Sequence, residues 1–299
     1  MNLLVTGGNG FVAGSIIRQA SPNWEVHVLT RGEAPMVRPG LQVHQLDLRD
    51  THQLADIFVR VRPDAVIHTA AVADIDFCES HPTEAGSVNV GLTRCLAGLC
   101  AACHARLVFC STDTIFGGED APYDEKSTPG PLNCYALTKV QAEDAVRQSG
   151  AQSVVARLAL VVGLPVLGVG NSFLAKMLAK LRAGERIEVP FREIRTPIDV
   201  ITLGRALLEL AESNITGTIH LAGNESISRF DMALRIASRF GLDSDLVAPC
   251  DTPKIPGRAP RPRDVSLSNA RARAELRTPM HDLADALNII VQTSGKPAS

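Results

Sequence analysis

A chain of 299 residues is long enough for a large core, which predicts one large domain with a smaller lobe. Its 30 basic and 32 acidic side chains leave a formal charge of −2, so nothing points to a nucleic acid or another polyanion as partner. No apolar run nears the ~20 residues of a membrane span, Met1 leads into an apolar strand instead of a signal segment, and seven cysteines without scaffold spacing fit a reducing cytoplasm.

The chain opens on Leu3-Leu4-Val5-Thr6-Gly7-Gly8-Asn9-Gly10-Phe11. The apolar run reads as a buried parallel strand that ends in a glycine-rich turn, and Phe11 to Ala20 follows with helical spacing. Strand, turn and helix in that order are the setting a dinucleotide fingerprint requires. Gly7 makes the tight turn. Gly10 lets the backbone approach a pyrophosphate at the start of the helix, where free N–H groups favour negative charge. Phe11 and Val12 open that helix and join the candidate cofactor residues, while Ala13 takes the third glycine position with Gly14 beside it.

Trp24 to Thr30 reads as the second strand and ends at Arg31. An NAD enzyme usually carries an acid there for the ribose 2′-OH, whereas a cation suits a 2′-phosphate. NADP(H) is therefore expected over NAD(H), with an ordinary surface arginine as the other reading. Leu41 to Leu46 is the third strand. Asp47-Leu48-Arg49-Asp50 follows, where Asp47 either accepts from an adenine amino group or caps the next helix, and Leu48 accompanies it as a cofactor candidate. Ala65 to Thr69 is the fourth strand, and the small side chains of Ala70 and Ala71 let a cofactor pass closely. Thr83 to Ala102 is a long helix holding Asn89. Its cysteines, Cys95 and Cys100 with Cys103 and His104 beyond, read as small buried residues in preference to a metal cluster.

Arg106 to Cys110 is the fifth strand, which stops at Ser111-Thr112-Asp113. After the break at Pro129-Gly130-Pro131 comes a helix carrying Tyr135 and Lys139, and Val154 to Leu158 is the sixth strand. The alternation predicts an α/β fold, a doubly wound parallel Rossmann sheet with a smaller C-terminal α/β substrate lobe. Residues 1–160 form the NAD(P)-binding domain, rejoined by a helix and strand from about 198–222; residues 161–197 and 223–299 form the lobe. Within that later part the pattern gives a loop over 163–170, helices over 172–183, 199–213, 228–240 and 279–291, a strand over 218–221, a proline-rich connection over 248–262 and a frayed tail.

Tyr135 and Lys139 are four apart and share a helix face. A free tyrosine titrates near 10, so bringing it toward neutrality takes roughly 4 kcal/mol of preferential phenolate stabilisation. A neighbouring ammonium and the positive nicotinamide of the oxidised cofactor have the right sign. Such a phenol can pass a proton to or from a substrate oxygen. Thr112, at the carboxyl edge of the sheet where ligands bind, is placed to hydrogen-bond the same oxygen. A packing tyrosine beside a solvated lysine is the competing reading.

The motifs resemble those of the extended short-chain dehydrogenase/reductases, and most of all the dTDP-4-dehydrorhamnose reductase branch. The likeness is carried by Thr6-Gly7-Gly8-Asn9-Gly10-Phe11, His68-Thr69-Ala70-Ala71, Asp74-Ile75-Asp76, Val88-Asn89, Ser111-Thr112-Asp113, Asn133 with Tyr135 and Lys139, Arg195-Thr196-Pro197 and Arg261-Pro262-Arg263. The resemblance implies hydride transfer at the keto group of a nucleotide-linked sugar, with Thr112, Tyr135 and Lys139 as the catalytic set and Lys139 also holding the nicotinamide ribose. Val72, Asp113, Thr114 and Arg195 fall on the substrate side, with Arg195 facing an anionic group such as a diphosphate. Val72, Ala73, Phe77 and Thr114 depart from the branch and imply a less polar pocket. Related dehydratases need Asp-Glu after the threonine; Thr114 follows Asp113 here, which argues against dehydration. The expected activity is thus NADPH-dependent reduction of a nucleotide sugar or similar small molecule, without a metal, a nucleic acid or a membrane and with a homodimer left open. An NAD-retaining 4-epimerase is one alternative. A non-catalytic NADP-binding subunit of the same fold, like the regulatory subunit of methionine adenosyltransferase, is the other.

Overall fold

The inner strands of the central sheet are apolar on both faces, as a parallel sheet covered by helices requires. In β1 (Asn2–Thr6), Leu3 and Val5 point into one core while Leu4 points into the other. β5 (Arg106–Thr112) does the same, with Val108 and Cys110 on the first side and Leu107 and Phe109 on the second. The computed structural model describes residues 1–32, 40–167, 172–251 and 258–293. The parts of the predicted loops and of the tail at 168–170, 252–257 and 295–299 lie outside the described residues.

With β2 (Glu25–Thr30), β3 (Leu41–Gln45), β4 (Ala65–His68) and β6 (Ser153–Leu158), the sheet has seven strands. Their order is Gly217–Leu221, β6, β5, β4, β1, β2, β3, and every neighbouring pair runs parallel. The sequence order reverses between β1 and β4, and ligands of open α/β sheets bind at the carboxyl ends beside such a switch point.

α1 (Phe11–Gln19) and the helix Val200–Glu212 cover one face. α2 (Thr51–Val61), α5 (Thr93–Cys103) and α6 (Cys134–Gln148) cover the other. A third core lies outside the sheet. It joins Leu174, Met177 and Leu178 of one later helix to Met232, Ile236, Leu283 and Leu287 of two others.

Several elements depart from the sequence reading. The predicted Thr83–Ala102 helix is α4 (Pro82–Gly86), a π-helical turn (Ser87–Leu92) and α5, continuous over 22 residues. By length and composition alone this helix could cross a membrane, contrary to the expectation that no apolar run comes near that length. In this fold Leu92, Leu96, Ala97 and Cys100 instead bury one side of it in the sheet's core. Cys103 and His104, expected inside, are exposed at its end. β5 runs on to Thr112, and a short α3 (Ile75–Ser80) follows the fourth strand. The connection after residue 248 begins as a strand, Val247–Cys250, paired with Ile187–Pro190. The closing helix starts at Leu283.

The first helix and Val200–Glu212 touch through small residues. Ser15 donates to the Val200 carbonyl at 2.6 Å, and a Cβ placed on Gly204 would come within 2.7 Å of the Ser15 hydroxyl. Gly204→Val should therefore destabilise the protein by about 1–3 kcal/mol, the usual cost of overpacking. Urea unfolding measures it, and an unchanged midpoint would show that the two helices yield freely.

Candidate active site

The glycine turn after β1 is built for close approach. Gly7 has φ +72°, and a Cβ on it would lie 3.0 Å from the Ala70 Cα. The Gly10 amide donates to the Gly7 carbonyl at 2.7 Å, and a Cβ on Gly10 would meet that oxygen at 2.9 Å. A side chain at Gly10 would thus strain the turn itself as well as fill the space above it. The turn borders a cavity of about 360 Å³. Of the expected cofactor residues, Gly7, Gly10, Arg31, Asp47, Leu48, Ala70 and Ala71 line it, whereas Phe11 and Val12 do not. Val72, expected on the substrate side, also lines this cavity. Asn9, Leu29, Thr30, Arg49, Thr69, Val88 and Leu92 complete the wall, and sequence reasoning had not assigned them. A glycine cradle that a Cβ would fill, beside two guanidiniums, fits a dinucleotide.

Asp50, not Asp47, caps α2 by accepting from the His52 and Gln53 amides. Asp47 is held by the guanidinium of Arg49 at 2.6 Å, which keeps its carboxyl down at about 2.

The neighbouring strand ends are fixed by a buried hydrogen-bond chain. His68 is fully buried, and desolvation lowers its pKa to about 3, so the imidazole is neutral. Thr93 donates to the Asn89 carbonyl at 2.6 Å and must accept from His68 Nε2 at 3.0 Å. His68 Nδ1 then accepts from the Thr6 hydroxyl at 2.8 Å, whose oxygen takes the Ala70 amide at 3.1 Å. Each hydroxyl hydrogen has one assignment that satisfies all partners. This chain locks the end of β1 to the start of the Ala70–Ala71 segment.

The π turn presents Asn89 inward. Its Oδ1 accepts from the Val72 amide at 2.8 Å, and its Nδ2 donates to the Val72 carbonyl at 3.1 Å and to the Thr138 hydroxyl at 3.0 Å. Thr138 in turn donates to the Tyr135 carbonyl at 2.7 Å. One side chain therefore ties the wall of the cavity to the helix that bears Tyr135 and Lys139. That helix is capped by Asn133, which accepts from Ala136 and donates to the Pro260 carbonyl, each at 2.9 Å. Lower down, Glu143 is fully buried and accepts from Ser111 at 2.6 Å and from Arg157 at 2.9 and 3.1 Å. Those bonds pin α6 to β5 and β6.

Tyr135, Lys139 and Thr112 lie outside the cavity lining, across the Asn89 link from its Val72 end. Lys139 does not face the phenol. Its Nζ donates to the Cys110 carbonyl at 2.7 Å and sits 4.2 Å from the centre of the Phe109 ring. Burial lowers its pKa to about 8. Burial also raises the Tyr135 phenol above its ordinary value, with the Thr112 hydroxyl acting in the opposite sense and Asp113 reinforcing the rise. The lowering expected from an adjacent ammonium is thus absent here, and Tyr135 is a protonated donor. Thr112 shares its hydroxyl with Thr114, 3.0 Å away.

Asp113 is buried, and desolvation lifts its pKa to about 6 against the pull of Arg195. Its Oδ2 has no hydrogen-bond partner. Arg195 does not face an open anion site. It is buried, and its nitrogens donate to the carbonyls of Ile194, Arg263 and Pro262 at 2.6, 3.0 and 3.2 Å. Arg229 and Arg258 gather with it around the single carboxylate of Glu193, at 3.1 and 2.8 Å. Phe77 stacks on His81 with centroids 4.2 Å apart.

Residues 1–295 match the model of the family described as the RmlD substrate binding domain. The chain belongs to that family. It is 32% identical over 289 residues to the dTDP-4-dehydrorhamnose reductase of Mycolicibacterium smegmatis, covering 95% of this chain and 83% of that one. It is 31% identical over 276 residues to methionine adenosyltransferase 2 subunit beta of Bos taurus, covering 90% and 80%. A solved structure, described as a hypothetical dTDP-4-dehydrorhamnose reductase from Sulfolobus tokodaii, superposes with TM-score 0.83 at 32% identity over 96% of this chain and 99% of that one. These matches make the RmlD-family chain an NAD(P)-dependent oxidoreductase of the extended short-chain dehydrogenase/reductase type.

The buried lysine of this RmlD-family site makes a pH test. Its pKa falls from 10.5 to about 8 on folding, so between those values the unfolded chain binds more protons. Stability then rises with pH in that window. Wild type should gain stability relative to Lys139→Met as pH goes from 8 toward 10.5, in chemical unfolding at several pH values. A pH-independent difference would mean that Lys139 titrates normally.

Proposed function

We propose that the protein is an NADPH-dependent reductase of a keto group on a nucleotide-linked sugar, with Tyr135 as general acid. The observation that carries this reading is the protonated Tyr135 phenol beside Thr112, at the carboxyl edge of the sheet and next to a glycine-cradled cavity. When bound, a reduced nicotinamide supplies the hydride. Gly7, Gly10, Ala70 and Ala71 would hold the dinucleotide, and Arg31 would meet its 2′-phosphate. Thr112 donates to the carbonyl oxygen and polarises it. Tyr135 gives that oxygen its proton as the carbon is reduced. A phenol kept protonated by burial suits reduction, where the resting enzyme must be an acid. Lys139, a buried cation beneath the site, would hold the nicotinamide ribose.

The reading divides the chain as the sheet does, with residues 1–160 and the returning helix and strand binding the cofactor and the third core forming the substrate lobe. Arg229 and Arg258, which share the Glu193 carboxylate, are where a diphosphate would be received, in place of Arg195.

A second reading is a non-catalytic nucleotide-binding subunit, favoured by the 31% identity to an adenosyltransferase beta subunit. Tyr135→Phe separates the two. The variant should fold and bind NADPH, and single-turnover NADPH oxidation with a nucleotide-linked 4-keto sugar should fall by ~10²–10⁴, the range for losing a general acid. Thr112→Val should cost less, because it gives up no proton. Equal rates in wild type and Tyr135→Phe would remove Tyr135 as the acid.

A further inference from the structure

Three charged side chains line the described part of the cavity: Arg31, Asp47 and Arg49. Asp47 is fixed in two independent ways. Its Oδ1 accepts from the Arg49 amide at 3.0 Å, a local turn that needs no side chain from Arg49. The Arg49 guanidinium also grips both oxygens, Nε at 3.0 and 3.1 Å and Nη2 at 2.6 Å. The pair is about half-exposed, so it adds little to stability. Its effect falls on the cavity. An ionised carboxylate in the same wall as Arg31 weakens the pull of that cation and repels a 2′-phosphate. With Arg49 in place that charge is cancelled, and the described residues of the wall keep one net positive charge. Without Arg49 the carboxylate stays, held by its own turn, and offsets Arg31.

We propose that Arg49 is a specificity-determining residue of this site, which selects a 2′-phosphorylated cofactor by neutralising Asp47 and so leaving Arg31 free to act. The proposal rests on the NADP(H) reading above and adds to it the residue that makes Arg31 effective.

Isothermal titration at low salt with NADP⁺ and with NAD⁺ tests it on wild type, Arg49→Ala and the double variant Asp47→Ala/Arg49→Ala, all checked for folding by circular dichroism. Arg49→Gln serves as the second variant should Arg49→Ala fail to fold. Arg49→Ala should lower the NADP⁺-over-NAD⁺ preference ~10- to 100-fold, the worth of one charge-assisted contact. The double variant should return to within about threefold of wild type, because Arg31 again stands unopposed and the difference is below 1 kcal/mol. A preference lost in Arg49→Ala and not recovered in the double variant would overturn neutralisation. A wild-type preference kept intact in Arg49→Ala would overturn the proposal alone. Equal affinities in wild type would remove the NADP(H) reading and the proposal with it.

Discussion

The carboxamide of Asn89 holds the site together. It bonds both backbone groups of Val72 and the Thr138 hydroxyl, so a wall of the dinucleotide cavity and the helix of Tyr135 and Lys139 move as one. A buried amide of this kind is expensive to leave unpaired, and here donor and acceptor are both used. The π turn is what aims it. One extra residue in a helical turn rotates the side chains that follow, and such turns recur at functional sites because they are strained and are kept only where they place a group. Around this link the fold supplies rigid anchors: the neutral His68 chain at the ends of β1 and β4, and the Glu143–Arg157 pair between α6 and β6.

Burial sets the protonation states. It disfavours charged forms of both signs: the phenol of Tyr135 and the carboxyl of Asp113 rise, while the ammonium of Lys139 falls. Lys139 offsets its burial with a carbonyl and a ring face, a geometry that keeps it below the site instead of against the phenol. A donor phenol and a nearby hydroxyl in one corner are suited to meeting a carbonyl oxygen. They are poorly suited to abstracting a proton, which would begin from the phenolate.

Much of this was legible in the sequence where a local rule fixes the outcome. Leu3 to Gly10 can be read because a short apolar run, a glycine turn and a helix have few other uses in that order. Tyr135 and Lys139 share a face because helical spacing leaves no choice. What stayed hidden depends on side-chain direction or on a partner distant in sequence. The Arg195 position is plain, but that its guanidinium turns inward to three carbonyls is set by residues 262 and 263. The π turn has no signature of its own, because Ser87, Val88, Asn89, Val90 and Gly91 are weak helix formers, and weak propensity does not announce an extra residue in a turn. Arg49 looked like part of a capping run, because a pair two residues apart is unremarkable until the turn folds it against Asp47.

The central claim is that this corner transfers a hydride to a carbonyl and keeps it there. The direct measurement uses NADPH deuterated at the transferable position of its nicotinamide, with a panel of nucleotide-linked 4-keto sugars, read by mass spectrometry and NMR. The account predicts one deuterium on the former carbonyl carbon for each NADP⁺ formed. A protein that binds the nucleotide yet delivers no deuterium to any of these sugars, or that returns it to the cofactor while inverting a centre, would contradict it.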